Sequence, residues 1–363
     1  MASINLKNLV KKFGENITAV AGVNLQVQDG EFMVLVGPSG CGKTTTLNMI
    51  SGFENPTSGT LMIGDRVIND LEPGERGLGM VFQDLALFPH MTVSKNIAFG
   101  LNVERVQEHE VQERVKKVAE TMKIVHLLEK KPSQCSGGEA QRVALARTIV
   151  NKPEVLLMDE PLSSLDAKLR IEMRTELKRL HEELKSTFLY VTHDQAEAMT
   201  MADRIMVMEK GHVQQIGTPL EIYRKPTNQF VATFFGQPTM NIISGSFSSS
   251  GSLIFRSSAT FSSGSFEVSL PKGLIPESII GESINLGVRS ENVIISENGA
   301  EAKVELIEPL GDETLVFFSY GTEDLLVGKV DADREFAAGD IIHFTFDPKG
   351  LHFFDNENGD RLE

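Results

Sequence analysis

The chain has 363 residues, 41% hydrophobic and 23% charged, a length that suits two domains with sizeable cores and a composition ordinary for a globular protein. No apolar run approaches the roughly 18 residues of a spanning helix, and the opening residues lack the apolar core of a secretory signal, so the expectation is a cytosolic chain that reaches a membrane only through a partner. Two cysteines, Cys41 and Cys135, exclude a disulfide framework, and the net charge of −15 is concentrated in residues 241–363, where 8 Lys and Arg face 21 Asp and Glu; that sign disfavours nucleic acid as a partner.

Taken in chain order, residues 4–10 and 23–27 alternate apolar and polar side chains, as half-buried strands do. Phe32–Val36 is a continuous apolar run. It leads into Gly37-Pro38-Ser39-Gly40-Cys41-Gly42-Lys43-Thr44-Thr45 and a helix predicted from residue 43 to 51. A strand, a glycine loop and a Lys-Thr pair opening a helix form a device for nucleotide phosphates. Backbone N–H groups converge on the phosphates, Lys43 reaches the β/γ oxygens, and the Thr44 hydroxyl can ligate Mg²⁺. Residues 55–59 form a turn and those to Ile68 a short hairpin. From about residue 92 to 150 the pattern is helical, with Val111, Val115, Val118, Met122 and Val125 spaced as one apolar stripe.

Val155–Asp159 reads as a buried parallel strand ending in an acid. A helix over residues 166–185, a strand over 188–192, a helix over 194–201 and a strand over 205–208 follow. Strands alternating with helices imply an α/β sheet with ligands at the strand C-termini. Beyond residue 241 the helical periodicity ends. Phe247, Leu253, Ile254, Phe255, Phe261 and Phe266 punctuate the serine-rich stretch 244–265, which reads as short strands with serine turns. Strands are also expected at 283–288, 302–307, 314–319, 325–329 and 341–346, making a separate all-β domain, a small barrel.

Hydrolysis needs more than a phosphate loop. Asp159 is placed to hold Mg²⁺ and Glu160 to polarise the attacking water. Gln83 closes another predicted strand and can ligate Mg²⁺, while His193 offers a donor to a γ-phosphate oxygen at a third strand end. The run Cys135-Ser136-Gly137-Gly138-Glu139 heads a helix and makes a second anion-binding N-terminus. If the two anion sites lie on separate lobes, one nucleotide cannot fill both within a subunit. A head-to-tail dimer, with each ATP between one chain's loop and the other's Ser-Gly-Gly helix, resolves this.

With these motifs in order, the chain resembles the ATP-binding cassette family. Gly37 to Thr44 look like its Walker A, Gln83 its Q-loop, Cys135 to Glu139 its signature motif, Val155–Asp159 its Walker B, and His193 its switch histidine. Ser163-Ser164-Leu165-Asp166 looks like the D-loop, and Phe13 is the aromatic expected to stack on adenine. The usual signature is Leu-Ser-Gly-Gly-Gln; Cys135 and Glu139 replace its outer residues. The Leu87-Phe88-Pro89-His90-Met91-Thr92-Val93 run, Glu160-Pro161-Leu162-Ser163, Asn228-Gln229-Phe230-Val231-Ala232, Gly287-Val288-Arg289-Ser290-Glu291-Asn292 and Glu308-Pro309-Leu310-Gly311 are similar to the carbohydrate-importer branch, the maltose-transporter type.

The resemblance implies a nucleotide-binding domain over residues 1–240, with a helical subdomain at about 84–150, and a regulatory domain of oligonucleotide-binding-type barrels over 241–363. It further implies an ATP- and Mg²⁺-dependent ATPase at the cytoplasmic face of the membrane, paired with a second copy or a paralogue. Two integral-membrane permease subunits would dock beside Gln83, and through them an extracytoplasmic binding protein would deliver sugars or glycerol phosphate. Importers of anions, iron or polyamines carry related barrels and stand as the alternative for the cargo. Cassette ATPases of DNA repair or translation carry coiled-coil insertions, zinc cysteines or fused cassettes, which this chain does not have.

Overall fold

The computed structural model describes residues 2–249, 253–257, 267–270, 280–320 and 324–362. They divide into two compact units, Met1–Leu220 and Glu221–Glu363, so residues 221–240 group with the second. The first unit runs β1 (Ile4–Phe13), β2 (Ile17–Val27), β3 (Phe32–Val36), α1 (Lys43–Ser51), β4 (Ser58–Ile63), β5 (Arg66–Val67), β6 (Leu78–Val81), α2 (Val93–Val103), α3 (Glu108–Thr121), α4 (Gly137–Ile149), β7 (Val155–Asp159), α5 (Ala167–Leu184), β8 (Thr187–Thr192), α6 (Gln195–Met201), β9 (Arg204–Glu209) and β10 (His212–Gly217).

One antiparallel sheet has the order β2-β1-β4-β5 and a six-stranded sheet the order β10-β9-β3-β8-β7-β6. The larger sheet is parallel except for the β9–β10 edge pair. Its central strand β3 is buried at every residue, which is why its sequence is unbroken apolar rather than alternating. The core lies between the two sheets and α1, joining Ile4, Leu6 and Leu25 to Met33, Leu35, Leu189 and Leu47. On the opposite face of the large sheet, Phe32 packs edge-on to His181 of α5 and against Phe188.

Local signals end the helices. Asp166 caps α5 by accepting from the Leu169 amide at 3.0 Å, and Asp194 caps α6 by accepting from the Ala196 and Glu197 amides at 2.8 and 3.1 Å; such caps contribute ~1 kcal/mol each. At the C-terminal end of α1 the buried Arg76 donates to the carbonyls of Met49 and Ile50 at 2.7 and 2.8 Å, satisfying acceptors the helix leaves open. The stripe on α3 is buried through Val111, Val115, Val118 and Met122, but it ends one member early. Lys123 has a left-handed backbone, φ 57°, which breaks the helix and leaves Val125 46% exposed, while Ile124 takes the buried place.

The second unit holds α7 (Pro219–Arg224, which opens at its boundary), α8 (Gln229–Phe234), β11 (Asn241–Ser249), β12 (Leu253–Ser257), β13 (Glu267–Leu270), β14 (Ser283–Val288), β15 (Val293–Ser296), β16 (Ala300–Pro309), β17 (Glu313–Ser319), β18 (Leu325–Asp331), β19 (Ile341–Phe346) and β20 (Leu351–Asp355). These strands form two five-stranded antiparallel sheets, β13-β12-β11-β14-β20 and β15-β19-β16-β17-β18. One core joins them, with Phe247, Phe255 and Leu286 from the first sheet and Val304, Phe318 and Phe344 from the second. The expectation for Phe261 and Phe266 falls outside the described residues.

Candidate nucleotide site

Four neighbouring parallel strands, β3, β8, β7 and β6, end on one edge of the large sheet, so the segments that follow them are brought side by side. They carry, in that order, the glycine loop, His193, the Asp159-Glu160 pair and Gln83. The sequence separation of these residues disappears because the strands run the same way.

The glycine loop is wedged between both sheets. A Cβ at Gly37 would lie 2.2 Å from the Met208 carbonyl of β9, and one at Gly42 would lie 2.4 Å from the Ala19 carbonyl of β2. These two glycines are therefore required by close approach of the protein's own backbone. Gly40, by contrast, faces open space, on the exposed run of Pro38, Ser39 and Gly40. Lys43 is buried and folds back over the loop, donating to the carbonyls of Gly37 at 2.8 Å and Pro38 at 3.0 Å. Cys41 is buried beneath it, and desolvation pushes its thiol pKa up, so it is a packing residue rather than a thiolate. Thr44 is exposed and Thr45 half-buried at the start of α1.

The Thr44 hydroxyl donates to Asp159 Oδ1 at 3.0 Å. Burial raises the Asp159 pKa; the Thr44 hydrogen bond opposes this, the neighbouring Glu160 charge adds to it, and the Lys43 charge opposes it. Glu160 has a left-handed backbone, φ 42°, costly for a residue with a Cβ. Its amide donates to the Val191 carbonyl of β8 at 3.0 Å, and its Oε2 lies 2.9 Å from His193 Nδ1. Gln83 is exposed; its Nε2 is 3.5 Å from the Ser163 hydroxyl, which itself donates to the Glu160 carbonyl at 2.8 Å. Thr44–Asp159 and Glu160–His193 thus form two linked pairs, with Ser163 tying Gln83 to the second.

The Ser-Gly-Gly segment keeps its hydrogen bonds at its own helix head. Ser136 caps α4, accepting from the Glu139 amide at 3.4 Å, while Glu139 Oε2 accepts from the Ser136 amide at 2.7 Å. This reciprocal box holds the Glu139 pKa below the usual carboxylate range, the Ser136 amide acting first. His126 Nε2 lies 3.5 Å from Glu139 Oε1, and Cys135 Sγ is 3.6 Å from the Lys131 carbonyl. The two glycines differ: a Cβ at Gly138 would meet the Leu169 side chain of α5 at 2.8 Å, whereas Gly137 has only Leu165 at 3.4 Å. Gly138 is thus a packing glycine, and Gly137 is the one that leaves the helix head accessible. Phe13 is 41% exposed, with Lys11 Nζ 4.9 Å from its ring centre.

Sequence reasoning missed the support behind these residues. Glu197 of α6 is buried and accepts from the hydroxyls of Tyr190 at 2.8 Å and Thr192 at 2.7 Å, and Thr192 in turn accepts from the Asp194 amide at 3.0 Å. Arg170 of α5 pairs with Asp194 at 3.2 Å, fixing the turn that carries His193. Alternating buried hydroxyls on a strand carry no sequence signal that separates them from ordinary β-propensity.

Residues 20–163 match the ABC transporter family and residues 286–354 the TOBE domain family. The chain is 44% identical over the full length of both proteins to the sn-glycerol-3-phosphate import ATP-binding protein UgpC of Cupriavidus pinatubonensis. It is 41% identical to that of Bordetella avium, covering 100% of this chain and 99% of the relative. Among solved structures, it is similar to the dimeric post-hydrolysis state of the ATP-binding cassette MJ0796 bound to ADP and Pi. The identity is 35% and the TM-score 0.54, over 60% of this chain and 98% of that one. With cbiO1 from Clostridium perfringens the TM-score is 0.57 at 29% identity, over 60% of this chain and 89% of that one. No described helix is long and apolar enough to cross a membrane. A phosphate loop, paired acids and a capped Ser-Gly-Gly helix in one cassette, together with full-length relatives, place this chain in the ATP-binding cassette transporter family, as an ATP-hydrolysing subunit.

Proposed function

We propose that this chain drives the import of glycerol phosphate or a related sugar, working as a head-to-tail pair of cassettes docked on two membrane permease subunits that receive cargo from an external binding protein. The observation that carries the reading is the full-length similarity to sn-glycerol-3-phosphate import ATP-binding proteins. In the reading, the Pro38–Gly40 face of the loop receives the phosphates, with Thr45 beside them and Phe13 under the adenine. Lys43 leaves the Gly37 and Pro38 carbonyls to meet the β/γ oxygens. The Thr44 hydroxyl, the Asp159 carboxylate and the Gln83 amide oxygen form an all-oxygen donor set that suits a hard divalent cation, Mg²⁺. Bound there, the cation would supply charge neutralisation to the phosphate oxygens.

Glu160 serves as general base, its strained backbone aiming the carboxylate at the edge where the four strands end. Its Oε2 accepts from His193 Nδ1 and, with both ring nitrogens protonated, Nε2 donates to a γ-phosphate oxygen, while Glu160 Oε1 takes the proton of the attacking water. The second copy contributes Ser136 and Gly137 at the head of its α4, with Cys135 and Glu139 flanking them. Exposed Phe99 and Val103 of α2, with exposed Phe53 beside the Phe82 ring that precedes Gln83, support permease docking there.

Glu160→Gln is expected to bind ATP within a few-fold of the native protein while turnover falls by roughly 10²–10⁴-fold, the range of general-base loss. In saturating magnesium nucleotide that variant should dimerise by light scattering. Native-like turnover would remove Glu160 from its role. For the cargo, cells lacking this subunit should regain uptake of labelled sn-glycerol 3-phosphate when it is resupplied; no recovery with that compound or with sugars would end the substrate assignment.

A further inference from the structure

Two residues after Gln83 the backbone does something costly. Leu85 and Ala86 are both left-handed, with φ of 61° and 45°. Consecutive side-chain-bearing residues in that region persist only where their surroundings impose it, and such strain concentrates in switching segments. What grips these two residues is Arg147, in the last turn of α4. One guanidinium nitrogen donates to the Ala86 carbonyl at 2.5 Å and the other to the Leu85 carbonyl at 2.8 Å. The same group lies 5.8 Å from the centre of the Phe88 ring. Burial pushes its pKa down, with the Asp84 charge opposing, yet it remains a cation at any physiological pH.

The neighbouring Thr148 hydroxyl donates to Ala144 at 3.0 Å and to the Met80 carbonyl of β6 at 3.3 Å. The end of α4 is therefore fastened both to the strand before Gln83 and to the strained segment after it. The other end of the same helix is the Ser136 head.

We propose that Arg147 is a positioning residue that holds the Leu85–Ala86 segment left-handed and so sets Gln83 toward Ser163, making α4 a rigid link between the Ser-Gly-Gly head and Gln83. This rests on the role given above to Gln83. A planar fork that reaches two carbonyls at once is what the site uses; a lysine, with one point charge, reaches one.

The test compares Arg147→Lys, with and without glycine at both Leu85 and Ala86, against the native protein and Gln83→Ala. Steady-state hydrolysis is measured while ATP and Mg²⁺ are titrated separately. Arg147→Lys is expected to lower kcat about tenfold and to raise the half-saturating Mg²⁺ several-fold, with the KM for ATP within twofold of native. Glycine adopts the left-handed region freely, so the glycine pair should return kcat to within about twofold. If Arg147→Lys alone yields no folded protein, the triple variant should recover both folding and turnover. An unchanged Mg²⁺ requirement in Arg147→Lys, or a triple variant that stays impaired, overturns the proposal. Gln83→Ala separates the two readings: if it leaves the Mg²⁺ requirement unchanged, the Gln83 assignment fails; if it raises that requirement while Arg147→Lys does not, only the Arg147 link fails.

Discussion

Glu139 puts a negative charge in the first turn of α4, where the helix end would otherwise turn its full positive field on a phosphate. The Ser136 amide keeps that carboxyl ionised. Glu139→Gln preserves the reciprocal cap, because glutamine fills the same place in the box, and removes only the charge. Half-saturating ATP is expected to fall about two- to fivefold, in keeping with ~0.3–1 kcal/mol of helix-end electrostatics. A nucleotide titration in which the variant and the native protein superimpose would show the charge to be silent. At this scale the sequence was informative wherever chemistry and spacing coincide: Lys43, Thr44, Asp159, Glu160 and His193 lie on one edge as the strand pattern required. It was uninformative where an ordinary residue reaches across the fold. Arg147 bonds to carbonyls 61 and 62 residues upstream, and nothing in its own helix marks it.

Among the elements, the turn that carries His193 rests on α6, and α6 rests on a buried carboxyl. Desolvation raises the Glu197 pKa; the Thr192 and Tyr190 hydrogen bonds oppose this, Asp194 adds to the rise, and Arg170 opposes it. Because the folded value lies above the unfolded one, the favourable contribution is complete below the unfolded glutamate pKa and is lost as pH rises through the folded value. Glu197→Gln keeps an acceptor for both hydroxyls without the charge. It should melt above the native protein at pH 8, with the gap closing toward pH 4 in thermal scans; a constant gap would mean that ionisation is not the cause. Elements with a continuous or strictly alternating pattern, β3, β7, β14 and β19, were legible to the residue. The short β15 and β20 were not, since four or five residues in a sheet partnered by distant strands show little periodicity of their own. The α3 stripe ran on to Val125 because apolar spacing does not register the backbone reversal at Lys123.

For the molecule as a whole, the acidic surplus of residues 241–363 coexists with a histidine that must stay neutral. His352 is buried in the second unit, stacked near Phe354, with Nδ1 unpartnered among the described residues. Burial, with Arg361 and Arg289 adding, lowers its pKa from 6.5 to about 4. Its stabilising contribution is complete above the unfolded value of 6.5 and is lost as pH falls toward about 4. At 1.36 kcal/mol per pKa unit the loss is about 3 kcal/mol. His352→Leu should flatten that acid limb, its unfolding midpoint falling less than the native one between pH 7 and pH 4; parallel curves would exclude His352 as the source. In the first unit, the carbonyls of Ala19 and Met208 abut Gly42 and Gly37 from opposite sheets, so the cradle for the phosphates is clamped before any nucleotide arrives. Such a seat gives up little backbone freedom at Gly37 and Gly42 on docking, and what remains to be moved is the Lys43 side chain, held in the free loop by the Gly37 and Pro38 carbonyls. A loop stiffened in this way by its own neighbours loses little of the binding free energy to local ordering, so more of it is left for whatever else nucleotide capture must do.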